Sequence, residues 1–211
     1  MDDPNQNWKH DSGIFRALGG QPKRARESSS QLNQPDLSLP RIPEEVIEFG
    51  DMRTLIYNAC LDAYERSRPV SVFMIAIDEL EGLKRNYGDL AVETANAFVL
   101  NLLIQTRNEF YGPGTRILLG HYVLGRYLML LPGTLGAKAA EFAEVLRKSV
   151  NEKDFIWNKR EMRLTVSIGV VHKPGHAGDQ DYMIMQADQA CSEAMSIGGN
   201  KVTIAKITEG F

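Results

Sequence analysis

The sequence predicts an α+β domain: a central sheet of mixed and antiparallel strands, flanked by helices and preceded by a disordered polar tail. Three observations predict it. Val70-Ser71-Val72-Phe73-Met74-Ile75-Ala76-Ile77 is a nearly continuous apolar run. It lacks the in-out alternation of a half-exposed strand, so it reads as a central strand buried on both faces. The stretch from Gly120 to Gly133 reads as a β-hairpin that turns near Gly125. Helix-like and strand-like segments alternate around that hairpin, so the sheet must contain antiparallel pairs.

Residues 1–43 are rich in Asn, Gln, Ser, Pro and charge. Such a segment buries too little to offset its ordering entropy and is expected to be disordered. It holds two islands: Gly13-Ile14-Phe15-Arg16-Ala17-Leu18, whose Ile14, Phe15 and Leu18 form a candidate docking motif, and the basic cluster Lys23-Arg24-Ala25-Arg26. The plainer reading of both is a solvated tail. The globular domain is expected over 44–211. Val46 to Arg66 is helix-like, with Ile47, Leu55, Ile56, Cys60, Leu61 and Tyr64 near helical spacing, and Pro69 stops it. After the central strand, Glu79 to Arg85 predicts a short helix ending near Gly88. Ala91 to Phe110 predicts a long one with Ala95, Phe98, Val99, Leu102 and Leu103 on its apolar face. Tyr111-Gly112-Pro113-Gly114 is a turn. The hairpin strands fall near 115–122 and 126–131, and a helix follows from Leu135 to Val150. Phe155 to Trp157 reads as a short strand and Arg163 to Val171 as a longer one. Asp181 to Ser196 reads as a helix stopped by Gly198-Gly199, and Lys201 to Ile204 as an edge strand.

Composition narrows the function classes. Of the 211 residues, 43% are hydrophobic and 24% charged, as in an ordinary globular domain. The formal net charge of −3 argues against a chain-wide nucleic-acid footprint. No apolar run is long enough to span a bilayer, and the polar start carries no secretory signal. Cys60 and Cys191 both fall in helix-like segments and read as buried free thiols in a reducing cytoplasm.

Several fragments, in this order and spacing, resemble the GGDEF domain of diguanylate cyclases. Asp51, Thr54 and Asn58 match the motif that opens that domain. Val72 to Asp78 matches its first strand, and Tyr87-Gly88 the loop that follows. Leu128 to Thr134 matches the strand and Leu-Pro-Gly-Thr exit after the signature, and Thr165 to Val170 a later strand. Ala187-Asp188-Gln189-Ala190, followed by Gly198-Gly199-Asn200-Lys201-Val202, fits the last helix and strand. The resemblance covers about 50 to 205 and implies the cyclase palm fold.

The resemblance also implies a chemistry that these residues do not supply. A diguanylate cyclase joins two GTP molecules, each 3′-hydroxyl attacking the other's α-phosphate. Metal ions held by carboxylates balance the developing charge. The first carboxylate position of the family is Ala76 here. The signature itself is replaced by Val123-Leu124-Gly125-Arg126-Tyr127, so the second carboxylate position is Arg126. A methyl group cannot bind a metal, and a cation repels one. Val123 and Leu124 fill space that the signature glycines leave open, while Gly125 keeps a tight turn feasible. The guanine-reading positions fall at Lys84 and Glu93, of which Glu93 alone keeps its chemistry. The phosphate-binding positions fall at Met195 and Gly199, and the product-inhibition motif falls at Gly114 and Ile117.

Asp78 is a weak substitute metal ligand, since period 2 places it on the face of Ala76; the plainer reading is a cap on the short helix. His121 is expected as a hydrogen-bonded strand residue. The resemblance as a whole implies a catalytically inactive pseudoenzyme, without cofactor, that acts as a protein-interaction or regulatory module in bacterial cyclic di-GMP-related signalling. Its candidate contact surface comprises Tyr122, Val123, Leu124, Arg126 and Tyr127 at the hairpin tip, together with Ile14, Phe15 and Leu18. The expected partner is another protein, with a homodimer left open. No nucleic acid is expected, because one short basic cluster gives little counterion release. The competing readings are a non-catalytic sensor of GTP or cyclic di-GMP using Glu93 and Lys84, and a residual diguanylate cyclase.

Overall fold

The computed structural model describes residues 42–173 and 180–205. Helix α1 spans Phe49–Glu65, strand β1 Val70–Ile77, helix α2 Leu80–Tyr87 and helix α3 Asp89–Tyr111. The hairpin follows as β2 Leu118–Val123 and β3 Arg126–Pro132, then α4 Gly136–Asn151. A second hairpin, β4 Asp154–Trp157 with β5 Arg160–Arg163, precedes β6 Val166–Lys173, α5 Gln180–Ser196 and β7 Val202–Ile204.

The main sheet runs β2-β3-β1-β6-β7. Strand β1 pairs antiparallel with both β3 and β6, β2 pairs antiparallel with β3, and among the described strands β6–β7 is the one parallel pair. The nearly all-apolar sequence of β1 follows from this central place, since both of its faces are covered. Phe73, Ile75 and Ile77 face α3 and α4, where they meet Val99, Leu103, Phe142 and Leu146. Val72, Met74 and Ala76 face α1 and α5, where they meet Met52, Ile56, Met183 and Cys191. Full burial of each large side chain contributes about 1.5–3 kcal/mol, so these two layers hold the frame of the site.

Two close approaches set the geometry. Gly169 lets α5 lie directly on β6: a Cβ there would stand 2.0 Å from the Ala187 carbonyl oxygen. At the other margin, Ile47 joins the free side of β2 by a parallel bridge to Gly120. The Ile47 amide donates to the Leu119 carbonyl (3.0 Å), and the His121 amide donates to the Ile47 carbonyl (2.8 Å). Arg107, buried on α3, ties down the same segment through its ion pair with Glu45 at 2.5 Å.

The predicted elements appear in the expected order, with one hairpin that sequence reasoning half missed. A strand over 155–157 is expected alone, but β4 has a partner in β5, so β6 begins at Val166 rather than Arg163. The turn residues Asn158 and Lys159 both adopt left-handed backbone (φ 48° and 65°) without a glycine to announce it.

Candidate functional site

The site lies where β1 ends beside the start of β3. Ala76 pairs with Arg126 on one side and with Ser167 on the other. Strand alternation sends Arg126 toward α5, where its guanidinium forms an ion pair with Asp188 and lies 3.7 Å from the Met195 sulfur. Both partners are half-buried, so the pair is charge-assisted and sheltered from solvent. Beneath it, the Cys191 thiol donates to the Ser167 carbonyl at 3.3 Å, and burial pushes its pKa up to about 12.

Asp78 does not cap α2. The cap position is Glu79, left-handed at φ 54° and without a side-chain cap bond. Asp78 instead turns toward β6. Its carboxylate accepts from the Thr165 hydroxyl (2.7 Å), the Ser167 hydroxyl (2.7 Å) and the Asn200 amide (2.8 Å). Those three donors join the end of β1, the start of β6 and the α5–β7 turn, a stronger set than one helix cap supplies.

The hairpin tip is smaller than expected. Val123 and Leu124 are 54% and 57% exposed. Tyr127 is fully buried, contrary to its expected place on a contact surface. One step along β3 from Arg126, it points to the opposite face, and its hydroxyl donates to the Asn96 side-chain oxygen at 2.6 Å. Burial drives the pKa of its phenol upward. The Gly125 amide donates to the same oxygen at 3.2 Å, and the Gly125 carbonyl accepts from the Ile77 amide at 2.9 Å. Arg126, spent on Asp188, is likewise withdrawn from the tip. Tyr122 is partly buried edge-on against Phe49, with ring centroids 5.1 Å apart. His121 sits on β2 as a strand residue and packs beside the Tyr127 ring, and among the described residues its Nε2 has no partner.

Lys84 forms an ion pair with Asp89 at 2.9 Å, which raises its pKa, so it is engaged away from Glu93. Glu93 itself is exposed on α3. Ile14, Phe15 and Leu18 lie outside the described residues. Sequence reasoning missed Asn96 and the pairing role of Asp188. A signal for Asn96 existed: a lone amide on the apolar face of α3, next to Ala95 and Val99.

The profile of the diguanylate cyclase GGDEF domain matches residues 52–201. The chain belongs to this family. A diguanylate cyclase A of Treponema denticola is 27% identical over 143 residues, which cover 67% of this chain and 37% of that protein. The chain therefore spans little more than a third of that relative's length. Solved structures agree in fold. The GGDEF domain of FimX from Pseudomonas aeruginosa superposes with a TM-score of 0.68 at 18% identity, covering 74% of this chain and 93% of that one. The diguanylate cyclase SiaD of the same organism, solved with its activator SiaC, gives 0.69 at 17% identity, with coverages of 80% and 60%. DgcB of Caulobacter crescentus, solved with c-di-GMP, gives 0.68 at 17%, with coverages of 76% and 82%.

Within this family the metal that the chemistry needs does not fit the residues present. Ala76 offers no ligand, Arg126 offers a cation already paired, and Asp78 is one carboxylate that already accepts from three donors. Among the described residues, no group of three His, Cys, Asp or Glu side chains converges as a metal site.

Proposed function

We propose that this GGDEF domain is catalytically inactive and serves as a protein-interaction or regulatory module in cyclic di-GMP-related signalling. The observation that carries the proposal is the Arg126–Asp188 ion pair, set against Ala76 where the cyclase chemistry calls for two carboxylates. A guanidinium at the second carboxylate position repels a metal rather than binding one, and it is neutralised from within the fold. The sensor reading loses its main cation, because Lys84 is held by Asp89.

The test is incubation of the purified chain with GTP and magnesium, followed by chromatography. No cyclic di-GMP is expected, and none from Arg126→Ala, which removes the cation without supplying a ligand. Turnover by either protein defeats the proposal. Calorimetric titration with GTP and with cyclic di-GMP should give no saturable heat; a saturating isotherm favours the sensor.

A further inference from the structure

Helix α1 is apolar on two faces, and the core accounts for one of them. Met52, Ile56, Cys60 and Ala63 are buried against the sheet. On the outer side Thr54, Tyr57, Leu61 and Tyr64 recur in alternating steps of three and four, the spacing of a coiled-coil seam. Tyr57, Leu61 and Tyr64 are 50%, 41% and 54% exposed. Apolar side chains scattered singly on a surface need no explanation, but three in register along one helix do.

The two flanks of this seam differ. On one, Arg53 grips Asp181 of α5 through two bonds of 2.7 and 2.5 Å, which braces the helix against the domain. The other flank, at 100° per residue, carries Asp51, Asn58, Asp62 and Glu65. Only Arg66 offsets it, bonded to Asp62 at 2.8 Å. The result is an apolar seam with an acidic edge.

We infer that the outer face of α1 docks an amphipathic partner helix whose apolar seam is flanked by Lys and Arg. Charge complementarity at the edge selects that occupant. A second copy fits poorly: two-fold antiparallel pairing sets the acidic edge of one α1 against the acidic edge of the other, and parallel pairing offers that edge only Arg53, which already bonds Asp181. An anionic membrane is repelled by the same edge. The inference does not depend on whether the site around Ala76 and Arg126 turns over GTP, and it places the contact on α1 rather than at the hairpin tip.

The test titrates the full chain with two synthetic helices of about three heptads, both with Leu and Ile in the seam, one flanked by Lys and Arg and the other by Glu. The basic helix should bind about tenfold or more tightly than the acidic one, and less tightly as salt rises. Leu61→Asp and, separately, the milder surface change Tyr57→Ala should each weaken it, with circular dichroism showing both folded. Leu124→Asp at the hairpin tip should not. Equal binding of the two helices, no binding, or indifference to both α1 variants overturns the inference. So does a dimer in sedimentation that Leu61→Asp dissolves, or flotation with phosphatidylserine vesicles. Assaying the same preparations for cyclic di-GMP keeps this result separate from the catalytic one.

Discussion

Arg126 carries a charge that the fold itself neutralises, and its neighbours register the consequence. Cys191 sits under the Arg126–Asp188 pair, and burial outweighs the nearby guanidinium, so its pKa rises from 9.0 to about 12. The thiol form is therefore favoured by folding. That contribution is complete below about pH 9 and is lost as pH rises toward 12. Two outcomes follow. Iodoacetamide at pH 9 should leave Cys191 unmodified in the folded chain and alkylate it in urea, as read by peptide mass spectrometry. The urea midpoint should fall from pH 9 to 11, and less steeply in Cys191→Ala. At this scale the sequence was only half legible. That position 126 holds a cation is visible in the letters. Its partner Asp188 stands 62 residues away, and only the packing of α5 on β6 through Gly169 brings it near. Asp78 is the same case, since its three donors come from segments that no local pattern joins to it.

The hairpin β2–β3 shows what an element adds. Its existence, ends and turn follow from alternation and from Gly125. Period 2 also held the answer for Tyr127, which must face α3 if Arg126 faces α5. The expectation of an aromatic tip overrode that geometry. The turn is tightly constrained: Gly125 has φ +75°, and a Cβ there would stand 2.3 Å from Leu80 Cδ2. Gly125→Ala should therefore destabilise the domain by about 1–3 kcal/mol through strain and overpacking, measurable as a lower urea midpoint. An unchanged midpoint would show that α2 yields freely. By contrast, β4–β5 escaped prediction because each strand is four residues long and its turn is made by Asn158 and Lys159. Short strands with a turn lacking glycine give little signal.

At the scale of the whole molecule, the order of elements was readable because a strand buried on both faces, a hairpin and long amphipathic helices each leave a strong periodic pattern. The sheet order was not, since the separation of β6 from β1 along the chain says nothing of their adjacency. Ala76 and the Arg126–Asp188 ion pair leave the end of β1 without the two carboxylates that would hold a cation. A ligand that binds only the native state raises its melting temperature. Magnesium and EDTA should therefore leave the melting curve of this chain superimposable. A magnesium-dependent rise would mean that carboxylates near the end of β1 still recruit the ion.

The bridge between Ile47 and Gly120 has a consequence for how the sheet meets its surroundings. Strand β2 is the outermost strand on its side, and an open margin of amides and carbonyls is adhesive toward any extended chain. Ile47 satisfies the Leu119 carbonyl and the His121 amide from the segment just ahead of α1, and Arg107 pins that segment through Glu45. The chain thus covers the middle of this border with a single residue. A partner that approaches along β2 must read side chains there, because this flank of the sheet is closed to strand-by-strand templating at the point where Ile47 lies across it.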